Sequence, residues 1–169
     1  GFRYGDKGTH TSRTMMLAEL TDLLGTTPTN STRDEYAAAI IEDNILGKQT
    51  TSTRRLTNQR LGELYGLSLK IPLFRVLRRL WDIDEPGRPL IALLCALARD
   101  PLLRATAQAI LPLPPGGELL RSSMNSTIRV VTGNRLNEST LDKVARNAGS
   151  SWSQSRHLEG RVRKKRQLV

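Results

Sequence analysis

Apolar residues fall three and four positions apart in run after run, and nearly every run is opened by a capping residue or proline or closed by glycine. That punctuation restricts the chain to short, packed helices. Ser12 is placed to cap a first helix carrying Met16, Leu17, Leu20, Leu23 and Leu24, with Gly25 as its stop. Thr32-x-x-Glu35 is a capping-box pattern for a second helix through Tyr36, Ala39, Ile40 and Ile41, ending at Gly47. Thr51, Ser52 and Thr53 offer caps for a third, closed by Gly66. Pro72 suits the first turn of a fourth, whose stripe of Leu73, Phe74, Leu77, Leu80 and Trp81 sets Arg75, Arg78 and Arg79 facing away. Leu90 to Leu97 reads as a central fifth helix, and Asp100-Pro101 opens a sixth. The segment LPLPPGG, residues 111–117, halts helices and predicts a boundary or linker. The stretch 122–134 fits loop, helix or strand equally, and a helix resumes at Asn137.

Composition narrows the partners. Aromatic residues are only 4% of 169, so the pattern predicts a core of Leu, Ile, Val and Ala rather than large rings. The net charge of +10 is clustered: residues 53–80 carry seven basic groups and one acidic, and residues 121–169 carry eleven and three. The blocks 1–52 and 81–120 are each net −2. Two basic blocks on a near-neutral scaffold predict two surfaces for a polyanion, although charge runs also serve as plain solvated faces. Cys95, the only cysteine, lies in an apolar run and reads as a small buried hydrophobe. With no disulfide to form, the compartment reads as reducing and cytoplasmic. No apolar run is long enough for a membrane span. Gly1 in place of Met suggests a cut or trimmed chain.

Two constellations carry the functional reading. The first is NESTLDKVARNAGSSWSQSRHLEGR, where Ala145 and Gly149 supply the small residue and the turn glycine of a helix-turn-helix. On this reading Gly149 ends one helix and Ser150 or Ser151 caps the next. Projection of residues 150–160 as a helix sets Trp152, Ser155 and Leu158 inward and Ser153, Gln154, Arg156 and His157 outward. Arg, Gln and Ser suit base edges and phosphate. Arg161, Arg163, Lys164, Lys165 and Arg166 would follow phosphates as a wing or arm. A structural helical hairpin explains the same pattern without DNA.

The second constellation is the helix pair 32–65. It sets Leu56, Leu61, Leu64 and Tyr65 to one side and Arg54, Arg55, Asn58 and Gln59 toward a DNA duplex, with Thr50 to Thr53 as a phosphate seat. A solvated helix face is the alternative. Catalytic patterns are not legible: Asp82, Asp84 and Glu85 precede Pro86-Gly87 and read as capping residues, and the two histidines and one cysteine make no metal set, so no metal, cofactor or enzyme chemistry is expected.

The runs DEYAAAIIEDNILGKQTTSTRRLTNQRLGEL and STLDKVARNAGSSWSQSRHLEGRVRKKR resemble the BrxA family of bacterial BREX phage-defence systems. The resemblance implies an all-helical, non-catalytic accessory protein that binds double-stranded DNA, works with other components of such a system, and has further C-terminal helices. It supplies no contact residues of its own. The resulting expectation is an all-α chain of two small helical subdomains, 1–111 and 118–169, with helix-turn-helix-like elements and a possible wing. They would clamp duplex DNA mainly through phosphates and with low sequence selectivity. An assembly scaffold using the apolar Leu90 to Leu113 region, or an RNA-binding helical bundle, are the alternatives.

Overall fold

The computed structural model describes all residues from Gly1 to Val169. Eight helices account for most of the chain: α1 (Leu17–Thr26), α2 (Arg33–Ile41), α3 (Thr51–Tyr65), α4 (Pro72–Ile83), α5 (Arg88–Arg99), α6 (Pro101–Ile110), α7 (Arg121–Thr132) and α8 (Glu138–Gln154). Two short strands, β1 (Leu158–Glu159) and β2 (Lys165–Arg166), form an antiparallel ribbon. The fold is all-α apart from that ribbon.

Capping chemistry explains most of the boundaries. Thr32 and Glu35 make the reciprocal capping box of α2. Thr50, one residue before the expected caps, accepts from Thr53 N at the start of α3. Asp100 accepts from Leu102 N and Leu103 N to start α6, and Asn137 accepts from Thr140 N to start α8. At the end of α3 Gly66 has φ 86°, and a Cβ there would stand 2.6 Å from Ile71 Cδ1, so only glycine fits.

Several boundaries differ from the sequence expectation. α1 begins at Leu17, not after Ser12, because residues 8–15 form a strap that holds only a single 3-10 turn (Thr9–Thr11) and whose groups are engaged by other elements. Gly25 lies inside its last turn. α2 stops well before Gly47, since Asn44 takes the left-handed conformation (φ 49°) and its side chain accepts from Lys48 N. Residues 121–132 are helical.

The core is one cluster from Met15 to Leu158, fed by α1 through α8 and by β1. Segment 111–117 interrupts the helices but does not divide that cluster. Its end is paired to the tail, with Gly116 N donating to Arg166 O, Arg166 N to Gly117 O, and Leu119 N to Lys164 O. Five of the seven aromatic rings, Trp81, Trp152, Tyr36, Tyr65 and Phe74, are the largest enclosed side chains, so rings contribute more to the core than the composition suggested. Tyr36 and Phe74 meet edge to face at 5.7 Å. Arg78, expected outside, is 4% exposed. Its guanidinium donates to Leu24 O and Thr27 O, carbonyls that the end of α1 leaves free, and to Asp82. The Leu90 to Leu113 region is mostly core, and Leu94 and Leu111 are its exposed large apolar side chains. No helix is long and apolar enough to cross a membrane.

Candidate nucleic-acid interface

α8 runs unbroken through Gly149, which has no positive φ, and continues to Gln154. The expected helix-turn-helix at residues 137–160 is therefore absent: its first helix and half of its second are a single element, and the remainder is the turn into β1. The reason is local. Ser151, one of the two serines expected to start a new helix, turns its hydroxyl back to Asn147 O, and Ser153 does the same to Gly149 O, so both bond within the helix that continues through them. Trp152, Ser155 and Leu158 are buried as expected, but by the end of a helix and a strand rather than by one continuous face.

The tail does form a wing-like ribbon. Leu158 pairs with Arg166 and Glu159 with Lys165, and Glu118 bridges to Lys165. Between this ribbon, α7 and α8 lies a groove of about 470 Å³. Arg121, Arg146, Arg161 and Lys164 line it, over a floor that includes Leu119 and Met124. Arg121 is held by Asp142 at 2.8 Å, whereas no carboxylate pairs with Arg146, Arg161 or Lys164. Of the eleven basic residues from Arg121 onward, ion pairs engage Arg121, Arg129, Arg135 and Arg163, which leaves seven without one. Lys164 lays its stem on Gly149, 3.6 Å from where a Cβ would be, and donates to Ser153 Oγ and Gly160 O. Burial lowers the pKa of its ammonium from the ordinary value.

The expected contacts divide accordingly. Arg156, Arg161, Arg163 and Lys165 are exposed. Gln154 is not free to read bases: its Nε2 donates to Thr14 Oγ1 and its Oε1 accepts from Leu17 N, which ties α8 to the start of α1. Ser153 is engaged by Lys164. His157 is only 8% exposed, packs edge-on against Trp152 at 5.3 Å, and sets Nδ1 beside Ser155. Burial lowers the His157 pKa, the Ser155 carbonyl offsets part of that, and the charge of Arg166 lowers it again. Arg166 donates to His157 O at 3.4 Å.

On the other surface, α2 and α3 pack together, but residues 42–50 connect them, longer than the three- or four-residue turn of a helix-turn-helix. Arg54 closes this connection by donating to Lys48 O and Ile41 O, so its fork serves the backbone. Arg55 and Gln59 are exposed one turn apart, with Gln59 bonded to Glu63. Asn58 is half-buried, and its Oδ1 is enclosed without a partner. Thr50 Oγ1 already accepts from Thr53 N, which fills part of the expected phosphate seat.

One arrangement was invisible in the sequence. His10, Asp100 and Ser151 meet in the order of a hydrolase triad, with His10 Nδ1 2.8 Å from Asp100 Oδ2 and His10 Nε2 2.8 Å from Ser151 Oγ. All three are at most 1% exposed. The hydroxyl also accepts from Met15 N and stands 3.0 Å from Asn147 O, so its hydrogen-bonding capacity is filled within the protein. A triad nucleophile needs an approach for substrate and a free lone pair; here the set fastens the strap to α6 and α8. Burial would raise the Asp100 carboxyl, but the adjacent His10 and donors from His10 N and Leu103 N outweigh it and hold the pKa below its ordinary value. Burial pushes the Cys95 thiol up to about 12, which leaves it an inert thiol. No group of three His, Cys, Asp or Glu side chains is positioned to hold a metal. No protein-family model matches the chain, and no curated protein does.

Proposed function

We propose that this chain binds double-stranded DNA, chiefly through phosphate contacts and with low sequence selectivity, as a non-catalytic accessory component of a BREX-type phage-defence system. The groove between α7, α8 and the ribbon carries the DNA-binding part. Its rim gathers cations from three separate stretches of chain, and three of the four have no carboxylate to neutralise them. Arg163 and Lys165 on the ribbon add positive charge beside it. The setting in phage defence rests only on the resemblance carried by residues 34–64, the Leu-rich helices that follow them and residues 139–166.

Cations outnumber the groups suited to read base edges, since Gln154 and Arg54 are engaged inside the fold and Arg55 and Gln59 stand on a different helix. Phosphate-driven affinity is largely blind to sequence and falls linearly with the logarithm of salt, by about 0.9 per phosphate contact. The test is a gel shift on unrelated duplexes across a salt series, with the double variant Arg146→Ala, Arg161→Ala beside the wild type. Binding should weaken on every duplex and the slope should flatten by about 1.8. An unchanged slope removes the groove from the interface. No retardation of any duplex refutes the reading and favours a scaffold, while preference for structured RNA in competition favours the RNA-binding alternative.

A further inference from the structure

A second cationic depression, of about 340 Å³, lies away from the ribbon, where the N-terminal strap, α3 and the turn between α7 and α8 come together. Arg3, Lys7, Thr11, Arg60, Glu63 and Arg135 line it, and no apolar side chain does. We propose that this depression is a seat for a phosphate group.

The chemistry follows from which donors are already used. Glu63 is the one carboxylate in the lining, and its two oxygens are held by Thr9, Gln59 and Arg60 at 2.8–2.9 Å. Arg60 reaches Glu63 through Nη1 only, which leaves Nη2 over, while its Nε is enclosed without a partner. Arg135 engages Asp6 through Nε and Nη2, which leaves Nη1 over. Arg3 makes a long 3.5 Å contact to Glu63 O, and Lys7 is exposed and pairs with no carboxylate. Four cations thus face two carboxylates, Glu63 and Asp6, and each cation keeps a donor. Donors converging from three stretches of chain suit a tetrahedral, multiply charged anion better than a planar carboxylate.

The seat is also preorganised. Lys7 and Thr11 flank His10, which Asp100 and Ser151 hold in place, and Gly8 lies against Asp100 so closely that a Cβ would stand 2.1 Å from Oδ1. Fixing the backbone next to Lys7 and Thr11 before the ligand arrives lowers part of the ordering cost of binding.

The phosphate could belong to a DNA backbone or to a small free ligand, and two measurements on the full chain separate these sources. The first is thermal unfolding with inorganic pyrophosphate, against sodium chloride at matched ionic strength. The second is the salt slope of duplex binding. Both are run on wild type, on Lys7→Ala and on Lys7→Ala, Arg60→Ala. Lys7 has no partner to lose, so its single variant reports the site without disturbing the fold. A rise in Tm of about 5 °C at saturating pyrophosphate, absent in the double variant and reduced in Lys7→Ala, supports a free phosphate ligand. No pyrophosphate effect, with a slope flattened by about 0.9 in Lys7→Ala, supports a DNA phosphate. If the variants leave both measurements at wild-type values, the proposal is overturned. The pyrophosphate arm involves no DNA, so it stands or fails apart from the duplex-binding reading.

Discussion

The hydroxyl of Ser151 joins two stretches of chain, touching His10 Nε2 and Met15 N in the strap and Asn147 O in α8. Ser151→Ala would leave Met15 N–H and one nitrogen of a fully buried ring without partners. An enclosed polar group that loses its partner costs about 1–3 kcal/mol. The variant should therefore lower unfolding free energy by about 2 kcal/mol or more in a urea titration, with helix content retained; a loss under about 0.5 kcal/mol would show that the fastening contributes little. Nothing in the sequence marks this contact, because His10 and Ser151 are 141 positions apart and a serine just after Gly149 reads as a cap. Arg78 was hidden for a related reason. Helical projection assigns arginine to solvent, and only the folded chain reveals that the end of α1 presents carbonyls it must satisfy.

At the scale of elements, legibility follows whether the signal is local. The caps at Thr32, Asp100 and Asn137, the proline opening α4 and the glycine closing α3 act within one turn, and all were readable. The continuity of α8 was not. Gly149 in a helix interior carries a conformational cost, and the stem of Lys164, fifteen positions on, covers it. This separates the two descriptions of α8 experimentally. In a helix-turn-helix turn with positive φ, Gly149→Ala would be strained, whereas in the observed helix the new Cβ meets Lys164 Cδ and Cε at an ordinary 3.6 Å. Thermal or urea unfolding should show the variant more stable by about 0.5–1 kcal/mol. Destabilisation by a similar amount would restore the turn. The charge count marks residues 121–169 as a basic block, but which of its cations remain free depends on partners such as Asp142, Glu118 and Glu138 that no spacing rule indicates.

For the whole molecule, one core holds the N-terminal strap, the helices and the ribbon together, so groups far apart in sequence should report a shared response to acid. His157 has a folded-state pKa below its ordinary value, hence the unfolded chain binds the extra proton first. Its contribution is complete above about pH 6.5 and is lost as pH falls through the lowered value. Asp100 is likewise lowered, so its contribution is present above the ordinary carboxylate pKa and is lost as pH falls through its folded-state pKa. Urea midpoints measured downward from pH 8 should decline first below about pH 6.5 and again in the carboxylate range. His157→Gln should remove the first limb and leave the second. A profile flat between pH 8 and 5 would show that His157 is not held neutral by the fold.

The fastening of His10 also governs the order of events at the ribosome. Ser151 is made long after His10, so the strap cannot reach its final bonds until α8 has left the exit tunnel, whatever the earlier helices have already built. The bonds of Thr9 to Glu63 and of His10 to Asp100 can form first, whereas the depression that Arg3 and Lys7 share with Arg60 and Arg135 waits for the turn after α7 to emerge.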